Sequence, residues 1–132
     1  FGASRSFSDE IVDGYRALLK AGLHGGDDDI EHAALRLGFF AEDTGAHHKR
    51  AVVEMIGIAF GALRHPGVFD FGKSDMVLRL RDRALEMSAD RTFLHIPPTE
   101  VLLMQRKFAG LYLLARTLGA RVDVRALAEP WL

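Results

Sequence analysis

One stretch, Thr92 to Val122, reading TFLHIPPTEVLLMQRKFAGLYLLARTLGARV, limits what this chain can fold into more than any other. Pro97-Pro98 stops any helix that precedes it, because proline lacks an N–H and pushes its predecessor toward extended geometry. Pro98 can still sit in the first turn of a following helix, where a missing donor costs nothing. From Thr99 the chain runs to Leu118 with no breaker stronger than Gly110, and Gly119 is placed to end the helix. Such a helix is about 30 Å long. Val101, Leu102, Leu103, Met104, Phe108, Leu111, Tyr112, Leu113, Leu114 and Leu118 occupy nearly every face of it. A helix that is apolar almost all round belongs among other elements, so the sequence predicts a buried central helix.

The remaining segments are predicted to pack around it. Ser6 or Ser8 can cap a first helix with Asp9 and Glu10 in its opening turn, and Ile11, Tyr15, Leu18 and Leu19 recur at helical spacing up to Gly25-Gly26. Asp27-Asp28-Asp29 opens a short second helix with Ile30, Ala33, Ala34 and Leu37 on its apolar stripe, ended by Gly38. Asp43 or Thr44 is expected to cap a third helix running to about Leu63, in which Gly57 and Gly61 would let another helix approach closely. After His65-Pro66-Gly67, Ser74 is placed to cap a fourth helix, whose centre carries Arg79, Arg81, Asp82 and Arg83 as a solvated face. Asp123 caps a last short turn from Val124 to Ala128. No segment shows convincing strand alternation, and no repeat is present. The expected fold is all-α: one domain over residues 1–132, a helical bundle of five main helices plus a short C-terminal helix.

Composition excludes several classes. The chain has 132 residues, 27% of them charged, and a net charge of −1. No bulk field therefore draws it to nucleic acid or to an anionic membrane. There are no cysteines, so disulfides and thiol chemistry are excluded, and a reducing compartment is the expectation. The most apolar window contains Gln105, Arg106, Lys107 and Arg116, each central charge costing about 2.5–3.5 kcal/mol in a bilayer, so it is not read as a membrane span. The chain begins at Phe1 rather than methionine, which suggests a processed product or a piece of something longer.

Candidate chemistry is sparse. Three consecutive carboxylates at 27–29 point in different directions on a helix and do not converge on one ion. His47-His48 forms a tempting metal pair, but adjacent helical residues diverge by about 100°, and no H-E-x-x-H spacing exists. Neither a nucleophile elbow nor a phosphate-binding glycine loop is found. Arg106-Lys107 is less easily dismissed: two cations in so apolar a segment must reach an edge, a carboxylate such as Glu100, or a partner. Asp70-Phe71-Gly72 spells the kinase metal-binding triplet without a catalytic loop before it. Phe1-Gly2, followed by Ala-Ser-Arg, looks like the tail of another such triplet.

These residues together resemble the C-terminal region of the UbiB/AarF atypical kinase-like family, including its mitochondrial coenzyme Q branch. The resemblance rests on Phe1-Gly2-Ala3-Ser4-Arg5 with Phe7, on Tyr15-Arg16 and Leu37-Gly38-Phe39, and on Phe69-Asp70-Phe71-Gly72. It is most specific in Ile96-Pro97-Pro98-Thr99-Glu100, Gln105-Arg106-Lys107-Phe108-Ala109-Gly110 and Leu118-Gly119-Ala120-Arg121-Val122. It implies part of a kinase-like C-lobe, an ATPase or kinase activity linked to ubiquinone biosynthesis, and Mg-ATP as the cofactor of the full-length parent. The family's nucleotide-facing lysine, catalytic-loop aspartate and metal-binding aspartate would all lie upstream. Phe1 and Gly2 are then the remnant of the metal-binding motif, with its aspartate absent, and Arg106-Lys107 is a family motif of unknown role.

The chain is accordingly expected to bind no cofactor and no metal by itself, and to be non-catalytic. Its expected partners are the kinase-like core N-terminal to it, with lipid, ubiquinone-biosynthesis proteins and a second copy as further candidates; nucleic acid is not one. Cytoplasmic placement, peripheral to the inner membrane, completes the expectation. The alternative is a stand-alone helical module that binds protein or lipid.

Overall fold

A computed structural model describes residues 7–93 and 95–132. In chain order the elements are α1 (Asp9–His24), α2 (Asp27–Leu37), α3 (Ala46–Ala59), α4 (Gly61–Arg64), β1 (Phe69–Asp70), α5 (Met76–Ala89), α6 (Thr99–Thr117), β2 (Arg121–Val122) and α7 (Val124–Ala128). A single 3-10 turn, Glu129–Trp131, follows. The fold is the expected all-α bundle with five long helices. Phe69 pairs with Val122 and Asp70 with Arg121 in a two-residue antiparallel bridge, which sequence periodicity could not announce.

Helix boundaries follow local chemistry. The Ser8 hydroxyl accepts from the Ile11 N–H and starts α1. Asp29 in the first turn of α2 accepts from the Gly26 N–H at 3.1 Å, the returning half of a capping box. Gly38 and Gly119 close α2 and α6 with φ of 82° and 63°, values that a side chain would strain. The Asp123 carboxylate accepts from the Ala126 N–H and starts α7.

Three starts and stops differ from expectation. Helix α3 begins at Ala46, not behind Asp43 or Thr44, because the Thr44 hydroxyl is used by the preceding turn, accepting from the Ala41 N–H at 3.0 Å. The expected long third helix breaks at Phe60, leaving α4 as a separate turn. Helix α5 begins at Met76, with the Ser74 hydroxyl accepting from the Met76 N–H and Asp75 as the half-helical residue between them.

The core lies between α1, α2 and α3. Ile30, Phe40, Leu37, Leu18 and Tyr15 are buried there with Phe39, Phe60 and Leu63. Helix α1 packs along α2, and α3 along α5. Gly22 allows α1 to meet Phe60 directly: a Cβ at that position would lie within the Phe60 ring. The two glycines expected to serve close helix contact, Gly57 in α3 and Gly61 in α4, do not. A Cβ on Gly57 meets nothing within 4 Å, and one on Gly61 meets only the Met76 sulfur at 3.8 Å. A second, smaller cluster of Ala62, Phe71 and Met76 sits where β1, β2 and the end of α6 converge.

The largest correction concerns α6. It is not the buried centre of the bundle. Val101 is its one buried residue among those described. The physical reason is that α1 to α3 form a core of their own and offer α6 only one side. That side is a stripe of Val101, Met104, Tyr112 and Ala115, spaced by three, eight and three. Leu111, Leu113, Leu114 and, just past its end, Leu118 meet solvent.

Candidate functional site

Helix α6 is fixed firmly at its beginning. Val101 is 0% exposed, and the Tyr15 hydroxyl donates to its carbonyl oxygen at 3.3 Å. The Ser8 backbone N–H and hydroxyl both donate to the Glu100 carboxylate at 3.3 Å, which ties α1 to α6. His95 Nε2 lies 2.7 Å from the Gly38 oxygen and seats the Pro97-Pro98 approach against the end of α2. Further along, the Tyr112 hydroxyl donates to the Ala59 oxygen at 2.8 Å, and its ring lies 5.9 Å from that of Phe71. Burial raises the Tyr112 pKa and pushes that of Tyr15 up to about 12, since a buried phenolate has lost its water.

Away from these anchors α6 presents an unusual surface. Leu111 is 61% exposed, Leu114 53% and Leu118 72%, with Leu113 also exposed, whereas the Phe108 ring lies 5.9 Å from that of Tyr15. Lys107 shares the line of Leu103, Leu111 and Leu114, at offsets of four, four and seven. Arg106 shares a line with Gly110. Both cations are exposed. Glu100, the internal partner considered for Arg106, is engaged by Ser8 instead. Gly110 is open: a Cβ there would meet nothing within 4 Å. A mid-helix glycine costs about 1 kcal/mol relative to alanine, and no described residue packs against this one to offset it. Phe1 and Gly2 lie outside the described residues.

The Asp70-Phe71-Gly72 triplet does structural work. One oxygen of Asp70 accepts from the Gly72 and Lys73 N–H groups at 3.0 and 3.3 Å, and the other faces Arg121 at 3.9 Å. Phe71 is buried in the second cluster, and its N–H donates to the Ala120 oxygen at 2.9 Å. A Cβ on Gly72 would lie 3.0 Å from the Gly119 Cα. The carboxylate is thus used to shape a turn rather than aimed at a ligand.

Sequence reasoning set His47-His48 aside and missed their third member. The structure places ligand atoms of His47, His48 and Asp90 within 4.8 Å of one another. His48 comes from the first turn of α3 and Asp90 from the end of α5, 42 residues apart. Only the packing of α3 on α5 brings them together, so no spacing rule could have found the set. The Asp90 pKa is held well below the usual carboxylate range, first by the Thr92 hydroxyl and then by His48.

The matches to known proteins cover nearly the whole chain. No family model matches the chain. It is 30% identical over 127 residues, 96% of its length, to the atypical kinase coq-8, mitochondrial, of Caenorhabditis elegans. The region belongs to the UbiB/AarF atypical kinase-like family. It is likewise 30% identical over 129 residues to the atypical kinase COQ8B, mitochondrial, of Rattus norvegicus, and 29% identical over 132 residues to the atypical kinase COQ8, mitochondrial, of Schizosaccharomyces pombe. The chain spans 17%, 24% and 21% of these three UbiB-type relatives. The three relatives are named as mitochondrial. Among the described residues, no helix is long and apolar enough to cross a membrane.

Proposed function

We propose that this region is the C-terminal helical segment of a UbiB-type atypical kinase or ATPase that supports ubiquinone biosynthesis. In this reading it carries no phosphoryl-transfer chemistry of its own and acts as a docking element for the kinase-like core. The observation that carries the proposal is α6: an exposed apolar strip with Arg106, Lys107 and an open Gly110, on a helix anchored along its other side. Contiguous exposed apolar surface rimmed by charge marks an interaction site. The relatives supply the length of chain that would cover it, since this region is about a fifth of each.

Phosphoryl transfer depends on positioned metal ions and donors at the phosphates. The triplet that most resembles such a site, Asp70-Phe71-Gly72, is consumed by its own turn. In this reading Mg-ATP is bound by the core, and the placement that fits is the mitochondrial one of the relatives, peripheral to the inner membrane.

The test is to express the region and the kinase-like core as separate chains. Co-purification is expected, and Leu111→Asp with Leu114→Asp should abolish it. Calorimetry on the 132-residue chain should show no binding of Mg-ATP. Micromolar nucleotide binding, or co-purification indifferent to the two aspartates, refutes the proposal. Binding to lipid vesicles that the same substitutions abolish, without core binding, would favour a lipid-associated module instead.

A further inference from the structure

The geometry points to a transition-metal site formed by His47, His48 and Asp90 at the junction of α3 and α5. It stands independently of the docking surface, which lies on α6. His48 Nε2 and Asp90 Oδ2 are 2.8 Å apart, and a ring nitrogen of His47 completes a set in which all ligand atoms lie within 4.8 Å. Atoms bound to one tetrahedral zinc ion stand about 3.4 Å from each other, given bond lengths of roughly 2.0–2.2 Å. The observed separations bracket that value. Rotation of the exposed His47 ring and a slight opening between His48 and Asp90 would bring the three ligand atoms to that spacing.

Three features separate this cluster from a chance surface grouping. The carboxylate is oriented by Thr92, whose N–H and hydroxyl donate to Asp90 Oδ1 at 3.0 and 2.6 Å, leaving Oδ2 turned toward His48; the Thr92 hydroxyl oxygen also lies 3.1 Å from His48 Nε2. Metal-binding carboxylates and imidazoles are held by hydrogen-bonding neighbours of this kind. The His48 ring is packed 5.0 Å from that of Phe93, so its direction is also fixed. Finally, the three residues line a small, partly open pocket of about 40 Å³. Arg83 borders that pocket, but its charge is taken up by Glu86 at 2.8 Å and Glu54 at 3.1 Å, so it opposes a cation weakly.

The donor set selects the ion. Two imidazoles and one carboxylate suit zinc, copper or nickel, whereas magnesium and calcium prefer oxygen ligands. Three protein ligands leave a fourth position for water or a small anion, the pattern of an open rather than a sealed site. An ion held there would clamp the first turn of α3 to the end of α5.

The test is calorimetric titration of zinc chloride into the chelator-treated 132-residue chain, with magnesium chloride as the control. One zinc per chain with a micromolar Kd is expected, and no magnesium binding. His47→Gln and Asp90→Asn should each weaken zinc about tenfold or more, and Thr92→Val by about tenfold through the orientation of Asp90. His65→Gln, outside the cluster, should leave Kd unchanged. His47 is exposed, so its variant keeps the fold, which far-UV circular dichroism verifies. No zinc binding, binding unmoved by His47→Gln and Asp90→Asn, or binding lost with His65→Gln overturns the inference.

Discussion

Replacing Val101 by alanine tests the arrangement of α6 most directly. Val101 is fully buried, whereas Leu111 and Leu114, ten and thirteen residues on, are mostly exposed. Val101→Ala removes two buried carbons, about 1.6 kcal/mol at roughly 0.8 kcal/mol each. The cavity left behind adds about 1 kcal/mol if the site relaxes only partly. The better helix propensity of alanine returns about 0.5 kcal/mol. The net loss expected is about 2 kcal/mol, or a fall in melting temperature of roughly 8 °C for a chain of this size. Leu111→Ala and Leu114→Ala remove more carbon but from solvated positions, so each should fall within about 0.5 kcal/mol of the parent. Urea unfolding followed by circular dichroism measures all three. If either leucine variant costs as much as Val101→Ala, the leucines are buried within this chain and the exposed face does not exist. If Val101→Ala is silent, the anchor at the start of α6 is misassigned.

Two further outcomes follow from packing and titration. Gly22→Ala should cost about 3 kcal/mol, at the upper end for an overpacked core, because its Cβ would meet the rigid Phe60 ring; a denaturation midpoint within error of the parent would contradict that contact. Tyr15 links stability to alkaline pH. Its folded pKa, about 12, lies above the unfolded value near 10, so its contribution is complete below pH 10 and is lost as pH rises through 12. That shift is worth roughly 2–3 kcal/mol. Tyr15→Phe should therefore be less stable at neutral pH, by about 1 kcal/mol for the lost bond to Val101, and show a shallower decline above pH 10. Tyr112, which burial shifts in the same direction, contributes to the residual slope. Parallel alkaline unfolding curves for the parent and Tyr15→Phe would refute the assignment.

Much of the fold was legible because its punctuation is local. Gly38, Gly119 and Asp123 act within a few residues of themselves and sit where the sequence placed them, and Ser8 is the one of its two candidates that caps α1. The break at Phe60 was not legible, since no proline or αL residue marks it. Strands of two residues are too short to show alternation. The burial of α6 failed for a different reason. Apolar content states that a face needs covering, but not that this chain supplies the cover. Asp90 joined the two histidines only through tertiary packing, so their divergence along the helix was the sole fact the sequence could offer.

The bridge between β1 and β2 bears on how costly it is to bind α6. With the Val101 contacts at one end, it leaves the helix held at both ends: the Phe71 N–H donates to the Ala120 oxygen, and the Ala120 N–H to that of Ala115, both at 2.9 Å. A helix tied only at its start would fray toward Leu118, and a partner would have to order it on contact. Here the backbone is already set, so the ordering cost within this helix falls on the side chains of the exposed leucines, about 0.5–1.5 kcal/mol for each one immobilised, on top of the translational and rotational loss that any association carries. The weak-looking two-residue sheet is thus what keeps the apolar face of α6 preorganised.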